Sequence, residues 1–312
     1  MTFLRPLTGR GATQHLVFLL LDGFTQVSFA CAMEPLRLAN CASGMPTFAW
    51  QTLSVDGGPV KSSCGTTILV DGALRNLSRA DTLVVVGGHR SLTADTPALP
   101  AYLRRQHAHG VAIIGLCGGL EALARAGLLN GQECAVDWQF AQGFAERHPA
   151  AVASDQAFVL SRISTAASGT AAADLMLHLI GQSHGGDLAN QVADMMIYGH
   201  VRQPGAKQRV SLNALLGVRS EVLSGAIRIM EGHIDSVLQV AEIGEMLRTS
   251  VRQLERLFAR HLNLSPSQYY IRIRLARATA LLRETEMSVT EVAFACGFSG
   301  PSQFSKTYRK HL

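Results

Sequence analysis

Ser288-Val-Thr-Glu-Val-Ala-Phe-Ala-Cys-Gly-Phe-Ser-Gly-Pro-Ser-Gln-Phe-Ser-Lys-Thr-Tyr-Arg-Lys310 predicts two short helices and the turn between them. Ser288 with Glu291 three residues on is a capping box, in which each side chain reaches the other's backbone amide. Val289, Val292, Ala293 and Cys296 follow at helical spacing and form one apolar face. Gly297 stands where that helix must end, and glycine adopts the left-handed C-cap without a Cβ penalty. Gly300-Pro301 then starts a second helix, whose Phe304 and Tyr308 face inward and whose Ser302, Gln303, Lys306, Arg309 and Lys310 face outward. A short helix, a tight turn and a second helix that is basic outside is the plan of a helix-turn-helix reader of double-stranded DNA.

An earlier copy precedes this one. Val240, Glu242 and Ile243 stand 49 positions before Val289, Glu291 and Val292, and Leu254 and Phe258 stand 50 before Phe304 and Tyr308. Ser250 caps the second helix of this copy, with Val251, Leu254, Leu257 and Phe258 inside and Arg252, Gln253, Glu255, Arg256 and Arg260 outside. Between the copies Ser265-Pro266 opens a long helix, whose buried face is expected at Ile271, Leu275, Ala278 and Leu282. Arg252, Gln253, Arg256, Ser302, Gln303 and Lys306 are the expected DNA contacts. Two such units about 34 Å apart suit successive major grooves on one face of the duplex.

Charge agrees. The 312 residues carry 28 Lys/Arg and 23 Asp/Glu, a net +5. From Arg248 onward eleven Lys/Arg oppose four Asp/Glu, a net +7, so the basic excess is confined to the expected DNA-binding part. The six cysteines include no CxxC pair, which fits reduced thiols rather than disulfides or zinc. The apolar run Leu16–Leu21 is too short to span a membrane and has no signal-peptide pattern. A cytoplasmic protein with no membrane partner, metal or cofactor is expected.

The first two thirds reads as an α/β domain with a doubly wound, mostly parallel sheet. His15–Leu21, Thr82–Val86 and Val111–Ile114 are continuous apolar runs, as strands buried on both faces require, and helical stretches alternate with them. Ala49–Val55, Thr66–Val70, Glu133–Val136, Phe158–Leu160 and Ile163–Thr165 are further strand candidates. The expected organisation is a tail over 1–13, an α/β domain over 14–200, a linker over 201–219 containing Pro204-Gly205, and an all-α double helix-turn-helix domain over 220–312.

Gly115-Leu-Cys-Gly-Gly119 joins a buried strand to a helix. Glycines around a central Cys117 permit the strained turn of a nucleophile elbow, and Gly87-Gly88 bring bare amides toward the same strand ends. His89 follows that pair, as a pocket residue or a loop histidine. Trp138 can stack on a cation or pack a core, and Glu34 is a pocket acid or the partner of Arg37 or Arg75.

Two resemblances follow from these residues. Ser250-Val-Arg-Gln-Leu-Glu-Arg-Leu-Phe258, Ser265-Pro266, Arg274-Leu275 and Ala295-Cys-Gly-Phe298 with Phe304-Ser305 resemble the AraC/XylS-type DNA-binding domain, although Arg248 holds a turn position often occupied by glycine. That resemblance also implies a short basic continuation beyond Leu312. The elbow and strand pattern resemble the PfpI-type, class I glutamine amidotransferase-like domain, a flavodoxin-like fold. The combination resembles the GlxA-like transcriptional regulators, which carry the amidase-like domain as a sensor. The family's enzymes often place histidine after the elbow cysteine, a glutamate early in the first helix, and His-Trp further on; here those positions hold Gly118, Gln26 and Asp137-Trp138. The resemblance therefore implies a small-molecule effector, such as an amino acid or quaternary amine, bound near Glu34, Gly87, Gly88, His89, Cys117, Gly118, Asp137 and Trp138. It implies a homodimer, with RNA polymerase a further candidate partner. The alternatives are a DNA-tethered cysteine hydrolase or amidotransferase, and a purely structural dimerisation module.

Overall fold

The computed structural model describes residues 13–88, 97–208, 221–285 and 287–311, and the chain divides into two compact units, Met1–Gln208 and Arg209–Leu312. In the first unit β1 (Gln14–Leu20), α1 (Gln26–Ser43) and β2 (Phe48–Leu53) lead to a small hairpin, β3 (Val60–Lys61) and β4 (Thr67–Ile68). Next come β5 (Asp81–Gly87), α2 (Ala98–Ala108), β6 (Ala112–Cys117), α3 (Gly119–Arg125), β7 (Glu133–Ala135), α4 (Ala141–Arg147) and β8 (Val152–Ser154). β9 (Phe158–Val159), β10 (Ser164–Ala166), α5 (Ala171–His184) and α6 (Gly186–Met195) complete it.

The central sheet has the order β2-β1-β5-β6-β10-β9, parallel except for the β9–β10 pair. Successive residues of β1 serve opposite faces. Leu16, Phe18 and Leu20 enter the core that includes α1, α5 and α6, while Val17 and Leu19 enter the core that includes α2 and α3. Burial on both faces is why these strands read as continuous apolar runs. β1 pairs with β2 on one side and β5 on the other, so the strand order reverses between β1 and β5, and in open α/β sheets ligands bind at the carboxyl ends of strands at such a point.

Three expectations change. Thr66–Val70 lies outside the central sheet; among the described residues β4 pairs only with β3, with Thr67 exposed and Ile68 packed against the core on the α1 side. β7 likewise pairs with β8 in a separate ribbon. The expected linker over 201–219 is docked on the first unit as far as Gln208. Arg202 donates its backbone amide to Asp174 Oδ1 at 2.8 Å and its guanidinium to Oδ2 at 2.7 Å. Ala157 donates to the Ala206 carbonyl at 2.7 Å, and Lys207 pairs with Asp155 at 2.6 Å. Residues 209–220 lie outside the described residues.

The second unit comprises α7 (Glu221–Gly232), α8 (Val240–Met246), α9 (Val251–Leu262), α10 (Pro266–Glu284), α11 (Val289–Ala295) and α12 (Pro301–His311). The predicted Ser288/Glu291 capping box is formed, Ser265/Gln268 makes another, and Ser250 caps α9 through the Gln253 amide. The 49-residue period recurs in the two turns. Arg248 and Thr249 donate to the carbonyls of Glu245 and Gly244, as Gly297 and Phe298 do to those of Phe294 and Ala293. Both turns are Schellman motifs, with Arg248 at φ 51° and Gly297 at φ 69°. The first tolerates a side chain; at Gly297 a Cβ would sit 2.5 Å from the Ile234 carbonyl oxygen.

Each copy has its own core, one around Leu254 and Phe258 and one around Leu275, Val292 and Phe304. On α10 the buried position is Leu281 rather than Leu282, because the stripe advances by three residues from Ala278. Arg274 crosses from α10 to the second turn. Its Nε and a terminal nitrogen donate to the carbonyls of Cys296 and Gly297 at 2.8 and 2.6 Å, and its guanidinium lies 4.1 Å from the centre of the Phe298 ring.

Candidate functional site

The elbow forms where the sequence places it. Cys117 ends β6 with φ 51°, a left-handed conformation that costs a non-glycine residue about 1–3 kcal/mol. Glycines around it let backbones meet. A Cβ at Gly87 would lie 2.4 Å from Gly118 C and Gly119 N, and one at Gly119 would lie 2.2 Å from the Val85 oxygen. At Gly118 a Cβ would lie 2.2 Å from the Gly88 oxygen. The family's enzymes are expected to hold their histidine there, and this backbone leaves no room for one. Gly87 and Gly88 thus brace the elbow: the Gly87 carbonyl accepts from Thr25 N at 3.1 Å, and a Cβ at Gly88 would strike the Gly23 oxygen at 2.0 Å.

The thiol meets hydroxyls. Thr25 Oγ1 lies 3.2 Å from Cys117 Sγ, and Sγ donates to Ser168 Oγ at 3.5 Å. Ser168 also hydrogen-bonds Asp137. Burial raises the Cys117 pKa, and the nearby Asp137 charge adds to the rise against the weaker pull of Ser168, Thr25 and the Gly118 amide. Burial likewise raises Asp137, opposed by hydrogen bonds from Gln139 and Ser168. Among the described residues the groups that act on the thiol and the carboxyl are Thr25, Ser168, the Gly118 and Gln139 amides and, for the thiol, the Asp137 charge, and none of them is cationic. Both charged forms are less favoured here than in water, and a nearby cation would favour them. Trp138 stands beside Asp137, half exposed. Gln26, next to Thr25, has a buried Oε1 that accepts no hydrogen bond among the described residues.

Of the other expected pocket residues, Glu34 lies on α1 about 13 Å along the axis from Thr25 and is paired with Arg37 at 2.7 Å. The structure therefore does not bring it to the elbow; its i, i+3 spacing makes the local ion pair. His89 lies outside the described residues. A separate cavity of about 380 Å³ is lined by Leu21, Asp22, Ser54, Asp56, Leu99 and Arg125 among others, and neither Cys117 nor Asp137 borders it. The elbow is the better candidate: it combines the strained backbone with paired titratable groups.

Thr25 and Ser168 were not singled out by the sequence, and neither was Gln208. Gln208 Oε1 accepts from Trp138 N at 2.9 Å while its Nε2 donates to the Val136 carbonyl at 2.6 Å. One sequence signal existed, the hydroxyl residues beside turn glycines, but it is too common to select them.

In the second unit Arg252, Gln253 and Arg256 are exposed on α9, opposite buried Leu254 and Phe258. Ser302, Gln303 and Lys306 are exposed on α12 opposite buried Phe304. Each set occupies one outward face at the N-terminal half of its helix, where a reading helix meets base edges.

Comparison with known proteins joins the two halves. Residues 14–182 match the DJ-1/PfpI family, and residues 243–312 match a helix-turn-helix domain family. The HTH-type transcriptional regulator CdhR of Pseudomonas aeruginosa is 42% identical over 299 residues, 95% of this chain and 88% of the relative. GbdR, an HTH-type transcriptional regulator of the same species, is 40% identical over 300 residues, 96% and 82% of the two chains. The crystal structure of an AraC family transcriptional regulator from Pseudomonas putida superposes with a TM-score of 0.53 at 33% identity, covering 58% of this chain and 98% of that one.

Proposed function

Since the chain belongs to the DJ-1/PfpI family and is a transcriptional regulator with an AraC-type helix-turn-helix domain, we propose that a small metabolite bound beside Cys117 controls its hold on DNA. One observation carries this reading: the loops that bear the candidate pocket also grip the chain's exit toward the second unit. Ser168 touches Cys117, and two residues later the Thr170 carbonyl and hydroxyl accept from Tyr198 and Arg202, both at 3.1 Å. Asp137-Trp138 is tied to Gln208, the last residue of the first unit, by the Trp138 amide. A ligand that displaces either loop must rearrange bonds to residues 198–208. Its binding energy then differs between the two arrangements, which is the requirement for control by a ligand.

The chemistry around Asp137 favours a cationic or zwitterionic ligand such as an amino acid or quaternary amine. A cation would offset the burial penalty on the Asp137 carboxylate, and the Trp138 face can take an onium group. The raised thiol pKa and the closed position at Gly118 support binding without turnover. We further propose a homodimer on double-stranded DNA, with RNA polymerase as the downstream partner.

Thermal shift of the full chain against amino acids and betaines tests this. Stabilisation without chemical change, abolished by Asp137→Asn, is expected. Cys117→Ala is expected to leave DNA affinity without ligand within about twofold. Turnover that disappears in Cys117→Ala would instead establish a cysteine hydrolase, and silence across the panel would leave a structural module.

The DNA contacts carry their own test. Arg256→Ala is expected to weaken binding to a selected site about tenfold or more, since a lost base contact costs ~1–3 kcal/mol and ~1.4 kcal/mol is a factor of ten. Lys306→Ala is expected to weaken all sequences alike and flatten the salt slope by about one unit, as a phosphate contact does. Gel-shift titrations at two salt concentrations measure both; unchanged affinity and slope in both variants would refute the assigned faces.

A further inference from the structure

The two reading helices carry a glutamine at the same place, Gln253 on α9 and Gln303 on α12, 50 residues apart. Their side chains are not equivalent. The Ser299 backbone amide donates to Gln303 Oε1 at 2.9 Å, and the Ser299 hydroxyl donates to the same oxygen at 2.9 Å. A backbone N–H can only donate, so the amide atom facing it must be the oxygen, which fixes the side chain's orientation. An amide oxygen has two lone pairs, and here both are taken. What Gln303 presents outward is Nε2 with two donors. In α9 the N-cap Ser250 hydroxyl instead accepts from the Gln253 backbone amide at 3.2 Å, and among the described residues no hydrogen bond engages the Gln253 side chain.

Glutamine reads adenine with both ends of its amide: the oxygen accepts from N6 and the nitrogen donates to N7. Gln253 retains both ends. Gln303 cannot supply the acceptor without giving up its two bonds to Ser299 at the turn that leads into its helix. We propose that Gln303 reads DNA as a donor only, selecting a base edge rich in acceptors, guanine or thymine, over cytosine, which offers only an amino group, and over adenine, whose N7 can take one donor but whose amino group then faces the other. Guanine fits best, because O6 and N7 lie side by side. The two helix-turn-helix units therefore differ in specificity although their glutamines align. This rests on the DNA-reading role of α12.

The test is selection of bound sequences from a random-sequence duplex pool by the full chain, with sequencing of the bound fraction. Gln303→Glu keeps an oxygen for Ser299, so the helix start and melting temperature should hold, but it replaces the donors with an acceptor. One base-pair position should change from guanine or thymine to cytosine or adenine, and affinity for the wild-type site should fall about tenfold. Ser299→Ala frees one lone pair on Oε1 and should admit adenine at that same position. Adenine selected there by the wild-type chain would overturn the proposal, as would a Gln303→Glu profile with no altered position. If the wild-type chain enriches no sequence, it is the DNA-reading premise that fails, a result distinct from either of these.

Discussion

Alanine at Gly118 is expected to destabilise the first unit severely. The added Cβ would lie 2.2 Å from the Gly88 oxygen and 2.7 Å from that residue's carbon and nitrogen. All three are backbone atoms, so no rotamer change relieves the clash. The neighbours are equally fixed: Gly88 is itself pressed on Gly23, and Gly119 on Val85. Overpacking against side chains costs about 1–3 kcal/mol. Here β5, the loop after β1 and the start of α3 must separate together, and a cost above ~4 kcal/mol is expected against a total stability of about 5–15 kcal/mol. Histidine at 118 should fail in the same way, so a catalytic base cannot be grafted there. Gly186→Ala is the control, because a Cβ there meets nothing within 4 Å and the residue starts a helix. Soluble yield and circular dichroism melting decide the matter; a Gly118→Ala protein melting within a few degrees of wild type would show that the elbow yields.

The second large effect is expected at Glu121, which is 1% exposed on α3. Arg125 and Arg147 donate to it at 3.2 and 3.1 Å, and His148 Nε2 lies at 2.9 Å. Burial alone would raise its pKa, but the hydrogen bonds and charges of His148 and Arg147 outweigh that and hold it at about 2 against an ordinary 4.5. A depressed carboxylate stabilises the fold above its ordinary pKa, and the contribution is lost as pH falls toward the folded value. At about 1.36 kcal/mol per unit, the contribution at pH 7 is about 3 kcal/mol. Glu121→Gln should therefore lower the melting temperature by roughly 6–12 °C near neutrality. The gap from wild type should narrow progressively below about pH 4.5. A gap that stays constant from pH 7 to pH 3 would mean that shape, rather than charge, holds α3 to α4.

Local signals in the sequence were enough for the architecture. Capping boxes, the 49-residue period and runs such as Leu16–Leu20 act within a few residues of themselves, and each appears as an element. The elbow was legible because glycines on both sides of one cysteine have few other uses. Its lining was not: Thr25 and Ser168 reach Cys117 across 92 and 51 residues, and a hydroxyl leaves no periodic trace. Gln208 was hidden inside a polar, proline-containing stretch that composition assigns to a linker, yet its amide bonds knit it to the sheet's edge. Leu281 and Leu282 are chemically alike, so only packing could decide which faces inward. Glu34 failed for the opposite reason, since a carboxylate three residues before an arginine satisfies itself locally.

The grip of Arg274 on the second turn makes the two readers a caliper with a set jaw. A helix of 19 residues is about 28 Å long, and this guanidinium fastens its far partner by two hydrogen bonds and a ring contact. Grooves on one face of B-form DNA recur about every 34 Å. When both units engage successive grooves, a reader fastened in this way is expected to leave part of any mismatch in spacing to the duplex. Curvature then becomes part of what is measured: a flexible step between the half-sites lowers an elastic cost of order 1–6 kcal/mol, and base pairs that no side chain touches enter the choice of site.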